Sequence, residues 1–255
     1  MIELKNVSTG YEGKMVVLDA DVTFERGKIT VLAGPNGCGK STLLKSIVGI
    51  VPCTRGDIIV DGVSTKNMKA KQLAKTIAYL SQSKKAPDIS VMKMVLHGRF
   101  PHLGYPRKYR AQDIEMAKQA IEWAGLKGET ETLVSRLSGG MQQKVYIAMA
   151  LAQDTDVILM DEPTTYLDVA HQLRLMEMVK NLANEGKTIA MVLHDLTQAM
   201  QIADELVVMK EGKIISKGNS EEIYANKSLE EAFGVKIRKL QTEEGENIWH
   251  YSHFL

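Results

Sequence analysis

The run Ile29-Thr-Val-Leu-Ala33, followed directly by Gly34-Pro-Asn-Gly-Cys-Gly39-Lys40-Ser41, constrains this chain more than any other segment. An apolar run without polar alternation, bounded by glycine, predicts a strand buried on both faces, as in a parallel sheet. The next residues fit G-x-x-x-x-G-K-[ST], and Ser41-Thr-Leu-Leu-Lys-Ser-Ile-Val-Gly reads as a helix. Strand, glycine loop and helix in that order are the setting in which the pattern has a mechanism. The glycines let successive backbone N–H groups converge on phosphate oxygens, and the helix start adds its dipole. The predicted phosphate-binding set is Gly34, Asn36, Gly37, Cys38, Gly39, Lys40, Ser41 and Thr42, with Lys40 reaching β- and γ-phosphates and the Ser41 hydroxyl binding Mg2+. Cys38 reads either as a small tolerated residue or as a thiol activated by the converging amides.

The architecture around this loop follows from the same patterning. Val157–Met160, Ile189–Leu193 and Leu206–Met209 repeat the continuous apolar run, with helix-like stretches between most of them. Such alternation predicts an α/β layer fold. Earlier, Ile2-Glu-Leu4, Val16-Val-Leu18 and Val22-Thr-Phe24 read as antiparallel strands with one wet face. From about 85 to 150 strand-like runs vanish. Arg110 to Leu126 places Ile114, Ala117, Ile121 and Ala124 at helical spacing, and Gly125 and Gly128 end it. That stretch predicts a helical subdomain inserted into the α/β core. Beyond about 222 the pattern weakens, and Gln241 to Ile248 is polar.

Composition narrows the class. Among 255 residues, 44% are hydrophobic and 25% charged, an ordinary globular mix that excludes collagen-like and disordered chains. Lys+Arg number 32 against 31 Asp+Glu, a net charge of +1 that disfavours a nucleic-acid partner. Two cysteines exclude a disulfide framework and fit a reducing cytosol. The first residues carry Glu3, Lys5 and Glu12 and no apolar core, so no signal peptide is expected. No apolar run approaches the roughly 20 residues that span a bilayer, so any membrane process would need another polypeptide for the span.

Val157-Ile-Leu-Met-Asp161-Glu162-Pro163 ends a buried run on two carboxylates. A carboxylate there carries a desolvation cost unless it serves a charge. Downstream of a phosphate loop, the pair reads as Asp161 for the metal and Glu162 for a water aimed at the γ-phosphate.

At this point the chain resembles an ATP-binding cassette (ABC) ATPase. The mark is Leu137-Ser138-Gly139-Gly140-Met141 between the phosphate loop and Asp161. The order of phosphate loop, Gln82, Ser-Gly-Gly, Asp161-Glu162, Asp168 and His194 matches too, from Ile2 to about Gly218. The resemblance implies a P-loop NTPase (RecA-like) core with an N-terminal antiparallel β-subdomain and an inserted helical subdomain. It implies an ATPase domain over 1–222, with core 1–84 and 152–222, helical subdomain about 85–151, and an extension at 223–255. Its ligands would be ATP and Mg2+. Physically, Ser138-Gly-Gly opens a helix, and a bare helix N-terminus is a second anion site. The resemblance accounts for the surplus: two copies dock head to tail, and Ser138, Gly139 and Gly140 of one cap the γ-phosphate bound by the other.

The remaining roles come residue by residue from the same resemblance. Tyr11 is similar to the aromatic that stacks on adenine, Gln82 to the glutamine touching Mg2+ and the lytic water, and His194 to the histidine that contacts the γ-phosphate. Asp168 is similar to the aspartate that communicates across the dimer. Met141 stands where the family has Gln, and Met cannot donate a hydrogen bond, which predicts altered affinity with activity retained. Lys144 stands where many members carry Arg.

Fewer than a hundred residues separate phosphate loop and signature, too few for the long coiled coil of many DNA-repair ABC ATPases. An ATPase serving a separate membrane permease, and indirectly an extracytoplasmic substrate-binding protein, is the expected role, at the cytoplasmic face of the membrane. Asp161-Glu-Pro-Thr-Thr-Tyr-Leu-Asp168 and His97-Gly-Arg-Phe-Pro-His-Leu-Gly104 resemble importers of iron–siderophore complexes, haem or cobalamin. A zinc or manganese importer and a soluble ABC ATPase are the alternatives. The bases Arg99, Arg107, Lys108 and Arg110, interleaved with Phe100, Tyr105 and Tyr109, read either as a solvated loop or as a permease-docking surface.

Overall fold

A computed structural model describes residues 1–82, 86–241 and 247–253. It divides the chain into two compact units, Met1–Met68 with Met178–Leu255, and Lys69–Glu177.

The first unit opens with β1 (Ile2–Tyr11), β2 (Lys14–Phe24) and β3 (Ile29–Ala33), then α1 (Lys40–Ile47), β4 (Cys53–Val60) and β5 (Val63–Ser64). β1 pairs antiparallel with both β2 and β4, as the alternating N-terminal pattern predicts. β3 is buried at all five positions. The second unit carries α2 (Ala70–Thr76), β6 (Ile77–Leu80), α3 (Val91–Leu96), α4 (Ala111–Trp123), α5 (Gly139–Ala152) and β7 (Val157–Asp161). The chain returns to the first unit through α6 (Val169–Asn184) and adds β8 (Thr188–Val192), α7 (Leu196–Ile202), β9 (Glu205–Lys210) and β10 (Lys213–Gly218). It ends with α8 (Ser220–Ala225), α9 (Ser228–Phe233), β11 (Val235–Gln241) and β12 (Asn247–His253).

In the first unit β3 lies between β8 and β9, parallel to both, and β10 closes the edge antiparallel to β9. β8 is buried throughout, whereas β10 alternates in exposure as an edge strand should. In the second unit β6 and β7 pair in parallel. There the helices close a core of Val91, Val95, Ala117, Ile121, Val145 and Ala148. Burying a side chain of this size is worth about 1.5–3 kcal/mol, enough to fix which face α3, α4 and α5 turn inward.

One expectation needs correction. Ile114, assigned to the apolar stripe of α4, is 38% exposed, while its neighbour Asp113 is 6% exposed. The first turn of α4 is rotated inward by a charge: Asp113 meets the Arg99 guanidinium at 3.0 Å. Beyond residue 222, where the sequence pattern weakens, the described residues are structured. Val235-Lys-Ile-Arg-Lys-Leu-Gln alternates with period two and forms a hairpin with β12, closed by Trp249 at 4% exposure against Tyr224. Residues 242–246, part of the stretch read as polar tail, lie outside the described residues. No helix among the described residues is long and apolar enough to cross a membrane.

Candidate functional site

In the first unit, the carboxyl ends of parallel strands assemble the phosphate loop. β3 ends at Ala33, the loop turns at Gly34, and α1 begins at Lys40 with Gly39 as its N-cap. Gly34 admits no side chain: a Cβ there would stand 2.2 Å from the Met209 carbonyl oxygen of β9. Gly39 sits at φ 107, a left-handed backbone that strains any L side chain. α1 carries no acidic residue in its first turn and no side-chain cap, so its N-terminal amides face the loop uncompensated. Lys40 is buried, and its Nζ donates to the carbonyls of Gly34 at 2.6 Å and Pro35 at 3.0 Å. Cys38 is buried, with Sγ 3.8 Å from that ammonium. Asn36 and Gly37 are exposed at the loop tip, Ser41 is half-buried and Thr42 is buried.

Tyr11 and His194 reach the same edge by different routes. Val16 and Val17 of β2 lie against Gly39, and Val17 pairs with Thr9, two residues before Tyr11. The hairpin therefore carries the half-exposed Tyr11 ring toward the loop. The β3–β8 register pairs Leu32 with Val192, so His194 stands as far beyond the end of β8 as Gly34 does beyond that pair in β3. His194 is exposed, and Asp195 behind it caps α7 by accepting from the amides of Thr197 and Gln198.

The second unit assembles the carboxylates. All five residues of β7 are buried, and Asp161 at its end is 1% exposed. Glu162 is 8% exposed and held at φ 54. A non-glycine residue in that region costs roughly 1–2 kcal/mol, a strain that clusters where a side chain must be aimed. The Gln82 amide donates to Glu162 Oε2, and the Thr165 hydroxyl lies 3.5 Å from the same oxygen. The Tyr79 hydroxyl donates to Asp161 Oδ2 at 3.2 Å.

Ser138 caps α5, its hydroxyl accepting from the Met141 amide at 3.4 Å. The first turn of α5 holds no acidic residue, and Ser138 and Gly139 are exposed. This leaves a helix N-terminus open to an anion. Gly139 and Gly140 lie against Tyr166, which is 76% exposed at φ 68. Asp168 follows, accepting from the backbone N–H of His171 at 2.9 Å and pairing with its Nδ1 at 2.7 Å. Those two contacts hold the Asp168 carboxyl below the usual carboxylate range.

Arg99 does not belong with the exposed bases near it. It is 6% exposed, bound to Asp113, and donates through Nη1 to the carbonyls of Ala152 and Gln153 that end α5. A cavity of about 440 Å3 beside it is lined by His102, Tyr105, Lys108, Tyr109 and Arg110 among others. Phe100 and Tyr105 are exposed, and Arg107 stacks over Phe100 at 4.8 Å.

Two polar contacts at this site escaped the sequence. Gln143 is buried on α5 and donates to the Pro163 carbonyl at 3.0 Å, tying the helix to the turn after Glu162. Tyr79 was visible only as the start of the segment carrying Gln82. A polar residue at a buried helical position, and strand parity for Tyr79, were the available signals.

Mg2+ takes hard oxygen donors and is held by one or two carboxylates together with phosphate oxygens and waters. The Ser41 hydroxyl, the Gln82 amide oxygen and the buried Asp161 carboxylate are donors of that kind. Among the described residues no cluster of three or more His, Cys, Asp or Glu could hold a metal ion. Within the second unit, Gln82 and Asp161 offer too few donors for a protein cage and fit an ion bound largely through phosphate.

Comparison with known proteins gives the family. The ABC transporter family model matches residues 17–165. The chain is 38% identical over 239 residues to the petrobactin import ATP-binding protein FpuD of Bacillus anthracis, spanning 93% of this chain and 88% of that one. It is 38% identical over 236 residues to the iron(3+)-hydroxamate import ATP-binding protein FhuC of Bacillus subtilis (strain 168), spanning 92% and 88%. An ABC transporter solved in an inward-facing conformation matches with a TM-score of 0.84 at 26% identity, over 100% of this chain and 97% of that one.

Proposed function

The chain belongs to the ABC transporter family, and from that premise we propose that it is the ATP-hydrolysing subunit of an importer of an iron chelate. The cargo class is an iron–siderophore complex or a related haem or cobalamin chelate, carried through a separate permease. The ATPase domain covers 1–222, with its core at 1–84 and 152–222, and 223–255 extends it.

The observation that carries the enzymatic part is Glu162, strained at the end of a buried strand and gripped by Gln82. A carboxylate fixed this way orients a water for in-line attack on a γ-phosphate. Lys40 and the loop amides bind the β- and γ-phosphates, Tyr11 stacks on the adenine, and His194 stabilises charge on the transferred group. Ser41, Gln82 and Asp161 would hold Mg2+, which would supply charge neutralisation at the phosphates. The open N-terminus of α5 is a second anion site, and we assign it to the γ-phosphate of a nucleotide held by a second copy. Asp168, adjoining that helix start, carries the signal between copies.

The names of the two relatives support the cargo class: one serves petrobactin import and the other iron(3+)-hydroxamate import. The exposed Lys108, Arg107, Phe100 and Tyr105 suit docking of an acidic, partly apolar cytoplasmic segment of the permease, which supports a position at the cytoplasmic face of the membrane. An extracytoplasmic binding protein delivers the cargo on the other side.

Deletion followed by growth on single ferric chelates tests the proposal. Growth fails on at least one chelate and is restored by the wild type but not by Glu162→Gln. Normal growth on every chelate, with a defect under manganese or zinc limitation, refutes the iron assignment. A deletion that leaves every uptake intact refutes transport altogether.

A further inference from the structure

We infer that Tyr79 is a positioning residue for the metal-side carboxylate, its hydroxyl fixing the orientation of Asp161. This rests on the reading of Asp161 as a Mg2+ donor. β6 pairs with β7 in parallel, with Tyr79 opposite Leu159. Side chains alternate along a strand, so Asp161, two residues past Leu159, shares the face of Tyr79 one step along the diagonal. An aromatic side chain spans that diagonal, and the hydroxyl arrives 3.2 Å from Asp161 Oδ2. Asp161 is 1% exposed, so water contributes little to holding its carboxylate plane. A phenol O–H supplies a neutral donor there. It holds one carboxylate oxygen without adding a cation that would compete with Mg2+.

β6 and the two residues after it serve both carboxylates. Tyr79 addresses Asp161, and three residues on, Gln82 addresses Glu162. Neither carboxylate is oriented by its own strand alone. Phenylalanine would fill the space of Tyr79 equally well, so removing one oxygen separates positioning from packing.

The test is equilibrium binding of a non-cleavable fluorescent ATP analogue to the full chain, with EDTA and across a Mg2+ series. In the wild type Mg2+ strengthens binding. In Tyr79→Phe that enhancement falls roughly 3- to 10-fold, the net size of one ordinary hydrogen bond, while binding in EDTA is unchanged. In an Asp161→Asn background, Tyr79→Phe adds no further loss of the Mg2+ enhancement, because the carboxylate it orients is gone. Equal enhancement in Tyr79→Phe and wild type overturns the inference. So does an equal loss with and without Mg2+, which marks a packing role. Absence of any Mg2+ enhancement in the wild type would instead bring down the Mg-ATP reading itself.

Discussion

Replacing Arg99 by methionine keeps most of the side-chain volume and removes three contacts: Nε to Asp113 at 3.0 Å, and Nη1 to the carbonyls of Ala152 at 2.9 Å and Gln153 at 3.3 Å. Asp113 then stays buried with the Arg110 amide at 2.9 Å as its remaining described partner. Removing one member of a buried ion pair costs about 3–5 kcal/mol, mostly through the charge left behind. The total stability of such a protein is about 5–15 kcal/mol, so the loss is readily measured. The pH dependence sharpens the test. Burial raises the Asp113 carboxyl, but the Arg110 amide and the Arg99 guanidinium outweigh it and hold the acid below its usual range. Its stabilisation in the wild type is therefore present above about pH 4 and lost as pH falls through the depressed value. In Arg99→Met burial prevails and the folded value rises above the unfolded one. The penalty then lies at neutral pH and eases on acidification. Urea unfolding at pH 7 and pH 5 should show a deficit of about 3–5 kcal/mol at pH 7 that narrows at pH 5. A deficit under about 1 kcal/mol, or one that widens with acid, refutes the assignment of a buried ion pair.

Two further outcomes follow from the geometry. Lys40→Ala keeps the fold but weakens ATP binding at least about 100-fold by isothermal titration, because a buried ammonium aimed along the loop is lost; unchanged affinity contradicts the phosphate-loop assignment. Trp249→Ala empties the buried slot between β12 and Tyr224 and should cost about 3–5 kcal/mol in thermal or urea unfolding, where a loss below about 1 kcal/mol would show that the hairpin is not part of the folded core.

The legible features share one property: their signal is local. β3, β7 and β8 announce themselves as continuous apolar runs because both faces are covered, and the phosphate loop fits a spacing in which each residue type has a task. α5 is readable for the same reason, since Val145, Ala148 and Ala152 recur at helical spacing and are buried. The illegible features need a partner far along the chain. Arg99 looks like one base in a basic loop until Asp113 and the end of α5 are placed beside it. Ile114 looks like a core residue until that same pair rotates the first turn. The β11–β12 hairpin is hidden because its outward face is charged, and Trp249 gains cover from Tyr224, from Lys239 and from α7, where Thr197 donates to the Trp249 carbonyl at 2.9 Å. The left-handed backbone of Glu162 leaves no mark in the residue types around it.

The most direct measurement of the central claim is the mass of Glu162→Gln by size exclusion with light scattering, at saturating Mg-ATP and without nucleotide. Glutamine keeps the shape and binding at that position but cannot activate water, so the triphosphate persists. The account predicts the mass of two chains with nucleotide and of one chain without, with Ser138→Ala in the same background shifting the balance back toward one. A single-chain mass at saturating ATP, in a variant shown to bind it, would contradict a nucleotide shared between two copies.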